Sequence, residues 1–311
     1  MRKNLKRVKN ILVIRTDRIG EVLLTTPILT ALKETQPEAK ISMMVRPEVK
    51  GIVEDNPNLS EIIEYRVASA IKLAKTFRNK KFDLAIIVNP KKEFHLAAFL
   101  AGIPIRVGFN RKWGFLLTHR IKDLKFLSEK HEVESNLDLV RAIGIEPKDK
   151  KPVLVIRDAF PVLDIPEHPV AIHPCTSNPK KQWPEKSFAR LADLLAESGY
   201  NAVLVSGPDE VESAKRVMSM MKNKPVDLAG KLTLKQLAVL LKRCEFLVSC
   251  DSGPVHIAAA MGTSAVVLFG KADRGSRPKR WGPYGERHIV IQKDKIEDIL
   301  PEEVAAKIHS R

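Results

Sequence analysis

Short apolar runs recur along the chain, each followed by a longer stretch in which apolar positions fall three and four residues apart. Continuous apolar runs suit strands buried on both faces, and the spaced stretches suit amphipathic helices laid over them. The alternation therefore predicts an α/β architecture with parallel sheets covered by helices. In the first half the expected strands are 11–15, 40–45, 83–88 and 104–107, with helical segments such as 21–35 and 94–101 between them. The second half repeats the scheme with strands at 169–173, 202–206, 246–250 and 265–269. Phe188, Leu191, Leu194 and Leu195 form one helical stripe there, and Leu237, Val239, Leu240 and Leu241 a second, less regular one; both read as packing surface without chemistry.

Between the halves, residues 146–169 hold five prolines among polar residues and a single apolar run, 153–156, which marks a linker. The expected domains are 1–157 and 158–311. At 311 residues and 44% hydrophobic content, the chain is long enough for two separate cores. The last segment, 296–309, follows a charged turn and reads as a closing helix, expected to pack back on the first domain. No short repeat or low-complexity tract is present.

Composition narrows the class. No stretch reaches the roughly 18 consecutive apolar residues of a membrane span, and the start, MRKNLKRVKN, is basic without a signal core, so a cytoplasmic location is expected. Cys175, Cys244 and Cys250 are odd in number and lack C-x-x-C spacing, which points to free thiols and to no zinc site. The net charge of +16 calls for an anionic partner: nucleic acid, an anionic membrane surface or a phosphorylated substrate. With 5% aromatic residues and no interleaving of bases with stacking rings, nucleic acid is disfavoured. The basic clusters at 3–9 and 274–280 face either anionic headgroups or solvent alone.

Open α/β sheets bind ligands beyond the carboxyl ends of their strands, which directs attention to four strand-to-helix turns. Residues 15–21 (Arg-Thr-Asp-Arg-Ile-Gly-Glu) contain Asp17, a glycine that allows close backbone approach, and Glu21 in the first helical turn, where a carboxylate also simply complements the helix dipole. Neither G-x-G-x-x-G nor a Walker sequence occurs, so ordinary dinucleotide and ATPase chemistry is disfavoured. Residues 176–184 (Thr-Ser-Asn-Pro-Lys-Lys-Gln-Trp-Pro) offer the hydroxyl of Thr176 and the cation of Lys181 either as a phosphate cradle or as a solvated loop. Residues 206–210 (Ser-Gly-Pro-Asp-Glu) place Glu210 to bind ribose hydroxyls or to cap a helix. Residues 250–256 (Cys-Asp-Ser-Gly-Pro-Val-His) bring Asp251, Ser252, Gly253 and His256 to one turn with free amides. A Ser-His-Asp hydrolase is a poor reading, because its three members would sit around one turn and G-x-S-x-G is absent. By itself, His256 reads as a structural histidine.

Together these motifs resemble the heptosyltransferases of glycosyltransferase family 9, which transfer heptose from an ADP-sugar to the inner core of lipopolysaccharide. The resemblance covers nearly the whole chain: ILVIRTDRIGEVLLTTP at 11–27, AGIPIRVGF at 101–109, KHEVESN at 130–136, KQWP at 181, the SGPDE turn, SCDSGPVHIAAA at 249 and RWGPYG at 280. It implies a GT-B fold, two Rossmann-like domains facing across a cleft, with the acceptor on the N-terminal domain and the nucleotide sugar on the C-terminal one. Lys181 would hold the donor phosphate, with Thr176 in the same loop, and Glu210 the ribose. Asp251, Ser252, Gly253 and His256 would hold the pyrophosphate and sugar end. Transfer would be inverting and metal-independent, with ADP-heptose as donor substrate and no cofactor. The family usually has Asp after the first-motif glycine; Glu21 stands there and is expected to be the base, with Asp17 as the alternative. Lys271 stands where relatives often have proline after the F-G turn. The expected acceptor is an anionic lipid-linked glycan, Kdo-lipid A or a heptosyl acceptor, met by peripheral contact at the cytoplasmic face of the inner membrane. Rival readings are the same fold with another nucleotide sugar for O-antigen or other glycans, and a non-catalytic nucleotide-sugar or nucleic-acid binder.

Overall fold

In the computed structural model, which describes residues 7–157, 164–176, 178–271 and 274–310 (of Arg274 only the backbone), the apolar runs form the strands. β1 (Asn10–Ile14) is buried from its second residue on and pairs in parallel with β2 (Lys40–Val45) on one side and β4 (Leu84–Ile87) on the other. β3 (Glu61–Glu64), β5 (Ile105–Phe109) and β6 (His119–Ile121) complete a six-stranded sheet in the order β3-β2-β1-β4-β5-β6, every pair parallel. A second all-parallel sheet has the order β12-β11-β10-β7-β8-β9. Its strands are β7 (Pro169–His173), β8 (Asn201–Ser206), β9 (Val226–Ala229), β10 (Phe246–Cys250), β11 (Ser264–Phe269) and β12 (Ile289–Gln292). Counted within its own sheet, each runs 3-2-1-4-5-6, the Rossmann order. The chain divides into two compact units, Met1–Val155 and Ile156–Arg311.

The eight expected strands are all present, with ends within two residues. The four that the apolar pattern does not announce, β3, β6, β9 and β12, lie at or next to sheet edges and are short and half-exposed, so their sequences carry no continuous apolar run. The expected helix over 21–35 is two helices, Ile19–Leu23 and Thr26–Thr35. Thr25 Oγ1 donates to Glu21 O at 2.8 Å and Thr26 Oγ1 to Leu23 O at 2.7 Å, while Pro27 brings no N–H to the next turn. Hydroxyls that take over backbone acceptors, followed by a proline, end the first helix after five residues.

The closing segment also differs from expectation. It is a short 3₁₀ turn, Ile296–Asp298, then a helix, Pro301–His309, and it packs into the second unit's own core. Val304, Ala305 and Ile308 join Phe188, Leu191 and Leu195 of the helix Glu185–Glu197, because the apolar stripe of each is otherwise uncovered. Arg190 Nε reaches Glu302 Oε1 at 3.0 Å along the same seam. At its centre lies Trp183, fully buried, edge-on to Phe188 with centroids 4.9 Å apart and donating Nε1–H to Ile299 O at 3.0 Å. Trp183→Ala is expected to destabilise the second unit by about 3–5 kcal/mol in denaturant titrations, from the cavity and the orphaned carbonyl. The three cysteines are free and buried, and burial pushes each thiol up to about 12.

Candidate active site

In a 3-2-1-4-5-6 sheet the chains leaving strands 1 and 4 turn to opposite faces, opening a crevice at their carboxyl ends. In the second unit these are β7 and β10, and the residues that follow them meet. Lys181, at the end of a 3₁₀ turn (Pro179–Lys181) opened by the Asn178 side chain, places Nζ 2.5 Å from Asp251 Oδ2, just after β10. The Asp251 side chain is 12% exposed and that of Lys181 30%, so the cation stands outward of a shielded carboxylate. Trp183, two residues on, pins this loop to the core, and Gln182 Nε2 donates to Pro174 O at 2.6 Å to close it on itself.

The helix Gly253–Ala260 begins directly behind Asp251, with Ser252 at its N-cap. The serine side chain does not cap it: Ser252 Oγ lies 2.8 Å from Ser249 Oγ and 3.4 Å from His173 Nδ1. Pro254 has no N–H and Val255 N donates to Ser252 O at 3.3 Å, so at this helix start it is the Gly253 amide that can meet an anion, with Lys181 on the Asp251 side of the same turn. His173, the last residue of β7, is buried. It bonds Ser249 Oγ through Nδ1 at 3.1 Å and faces Glu210 Oε2 with Nε2 at 3.4 Å. A carboxylate only accepts, so Nε2 carries the proton, and in the neutral ring Nδ1 accepts from a serine hydroxyl. That His173 hydrogen bond, above all, holds the Glu210 carboxyl below the usual range despite partial burial. Glu210 also accepts from Gly207 N at 3.2 Å, so it closes its own turn while facing His173.

In the first unit the corresponding strands are β1 and β4. Arg15 and Thr16 are buried at the end of β1, and Asn89, just past β4, accepts from Thr16 N at 3.3 Å and donates to Asp17 Oδ1 at 3.1 Å. Arg15 pairs with Asp17 at 3.0 Å and with the fully buried Glu132 at 3.4 Å. Lys125 Nζ reaches the same Glu132 oxygen at 2.6 Å and Asn136 Oδ1 at 2.8 Å. Glu21 sits partly buried on the short helix beside this network. Burial raises its carboxyl pKa more than the nearby Arg15 cation lowers it. A carboxylate held above its usual range accepts a proton more readily, as a general base requires.

Of the residues singled out by sequence, Lys181, Asp251, Ser252, Gly253 and Glu210 gather at the second switch point, and Asp17 and Glu21 flank the first. Thr176 accepts from Asn178 N at 3.4 Å and shapes the Lys181 loop. Ser177, between them, lies outside the described residues, as do residues 3–6 of the first basic cluster and the Arg274 side chain of the second. His256 is buried one turn inside its helix, as a structural histidine would be. Lys271 projects outward near Asp294, 3.9 Å away. Sequence reading missed His173, Arg15, Asn89, Lys125, Glu132 and Asn136 as site residues. For His173 and Ser249 a signal existed, a polar residue in an otherwise apolar strand; the rest come from positions up to 117 residues apart. Among the described residues no three His, Cys, Asp or Glu side chains converge as a metal site, and no helix is long and apolar enough to cross a membrane.

Comparison with known proteins bears on the family and the fold. The family model for glycosyltransferase family 9 (heptosyltransferase) matches residues 70–305. Lipopolysaccharide heptosyltransferase 3 of Escherichia coli K12 is 28% identical over 299 residues, spanning 87% of this chain and 84% of that protein. Among solved structures, a family 9 glycosyl transferase from Veillonella parvula superposes with a TM-score of 0.85 at 24% identity, over 97% of this chain and 96% of that one. The E. coli ADP-heptose lps heptosyltransferase II superposes with a TM-score of 0.83 at 23% identity, over 97% and 98%. The family match begins after the first motif, so Asp17 and Glu21 lie outside it.

Proposed function

Since the chain belongs to glycosyltransferase family 9, the heptosyltransferases, we propose that it moves heptose from ADP-heptose to the inner core of lipopolysaccharide, with inversion and without a cofactor. The observation that carries this reading is the second switch point, where Lys181 beside Asp251 meets the uncapped start of Gly253–Ala260, with Glu210 near by through His173. The relatives named for lipopolysaccharide and ADP-heptose supply the substrate class.

In this reading the diphosphate lies against the Gly253 amide and the Lys181 ammonium, which Asp251 keeps in place. The ribose hydroxyls donate to Glu210. As the acceptor hydroxyl attacks the anomeric carbon, its proton passes to Glu21 and the C–O bond to ADP breaks on the opposite face. Negative charge then grows on the leaving diphosphate, where prearranged donors stabilise it most. The acceptor, an anionic lipid-linked glycan, is met at the cytoplasmic face of the inner membrane, and the chain's +16 charge favours that encounter.

The test is a panel of nucleotide sugars offered with lipid-linked acceptor. ADP release from ADP-heptose alone, with acceptor mass increased by one heptosyl unit, is expected; release only from another nucleotide sugar overturns the reading. His173→Phe is expected to weaken ADP binding about tenfold or more in calorimetry, through a misplaced Glu210, and His173→Gln, which can still donate, to restore much of it. The pH dependence follows in sign. Glu210 is depressed by His173, so its carboxylate contribution holds above the ordinary range and is lost only as pH falls through the lowered value. In His173→Phe that loss begins at higher pH.

A further inference from the structure

β6 is an edge strand of the first sheet, and the chain around it carries a surface that transfer chemistry does not require. Ten large hydrophobic side chains are exposed among the described residues, and five fall between 99 and 126: Phe99, Leu100, Phe115, Leu124 and Phe126. Among the described residues every exposed phenylalanine is in this group, with Phe115 at 67% and Phe126 at 57%. Local bonds hold these segments together along the edge. Arg106 stacks on Phe99 at 5.6 Å and donates to Leu116 O at 2.8 Å, tying the end of the helix Lys92–Leu100 to the turn that bears Phe115. Asn110 N donates to Ile121 O at 2.7 Å, and Arg111 pairs with Asp123 at 3.2 Å, joining the loops before and after β6.

The charge of this stretch is one-sided. Residues 99–128 contain six Lys and Arg against one acid, Asp123, which Arg111 already occupies. Lys112, Arg120 and Lys122 are exposed beside the apolar side chains. Exposed apolar groups grouped on one edge lose free energy in water unless something covers them, and basic neighbours select an anionic cover.

We propose that this edge docks on an anionic lipid bilayer, with Phe115 and Phe126 entering the headgroup boundary and Lys112, Arg120 and Lys122 meeting lipid phosphates. Rings set among basic residues suit that boundary, where apolar burial and charge attraction add. A nucleic acid fits less well, because Leu100 and Leu124 present no π-face on which a base could stack. In the basic cluster near the C-terminus Arg280 is engaged, donating to Gly275 O at 3.0 Å and lying over the Trp281 ring at 4.6 Å, and among the described residues no exposed phenylalanine accompanies it. A lipid-linked acceptor gives this docking its use, but the surface rests on its own residues.

The experiment is sedimentation of the whole protein with vesicles of phosphatidylcholine alone or with phosphatidylglycerol added. Binding is expected only to the anionic vesicles and to weaken with salt. It should fall roughly tenfold or more for each phenylalanine removed in F115S/F126S. In R120E/K122E the fall should be at least about fivefold per charge. A cooperative melting transition of the first unit, matching the parent's, reports that each variant is folded. Undiminished binding by both folded variants overturns the proposal, as does equal binding to neutral vesicles, or binding to an oligonucleotide but to neither vesicle. A parent enzyme that turns over ADP-heptose yet ignores vesicles defeats the docking surface alone, and vesicle binding without turnover defeats the substrate reading alone.

Discussion

Glu21→Gln is expected to lower turnover by roughly 10²- to 10⁴-fold while leaving ADP-heptose affinity near that of the parent. The same variant is expected to be more heat-stable at neutral pH. Both follow from one property: the Glu21 carboxyl is held above its usual range, chiefly by burial. A group whose folded-state pKa is raised favours the folded state fully only below the unfolded value, about 4.3 for glutamate, and that advantage is lost as pH rises through the raised value. At neutral pH the buried charge is therefore a cost that glutamine does not carry. Melting curves against pH should show the variant ahead above the raised pKa, the lead closing as the medium becomes acid. The parent's kcat/KM should fall on acidification at a higher pH than an ordinary carboxylate would give, and a variant with unchanged turnover would dismiss Glu21 as the base.

Lys181→Met is expected to reduce kcat by about 10²- to 10³-fold, the usual loss when one preorganised donor to a developing charge is removed. It also strips the cation from Asp251 Oδ2, whose side chain is only 12% exposed, so stability should drop by about 1–3 kcal/mol. Adding Asp251→Asn removes the charge that Lys181 faced. The double variant is expected to regain most of the stability and none of the activity. If activity returned with stability, Lys181 would be a structural residue and the phosphate would have to be held elsewhere.

How much of this was legible in the sequence depends on how local each signal is. β1, β4, β7 and β10 are apolar runs because both their faces are covered, and their positions fixed the loops to inspect. Lys181, Asp251 and Glu210 were legible because polar residues after such strands have few structural reasons to be there. Glu210 shows why the choice between cap and ligand group stayed open: it closes the Gly207 turn and also faces His173. The Arg15, Glu132 and Lys125 network was not legible, since residues so distant in sequence share no spacing rule. The split of the 21–35 helix was written in Thr25, Thr26 and Pro27, but apolar periodicity continues across the break and conceals it.

The bond from Trp183 to Ile299 also orders events during synthesis. The first unit, which ends at Val155, can fold while the second is still being made. The Lys181 loop, in contrast, stands on a floor completed by Ile299, Val304 and Ile308, the first of them 116 residues after Trp183. A chain made only as far as Ile296 has a finished Glu21 side and an unfinished nucleotide side. A C-terminal cut ahead of Ile296 should return a completed protein to that state.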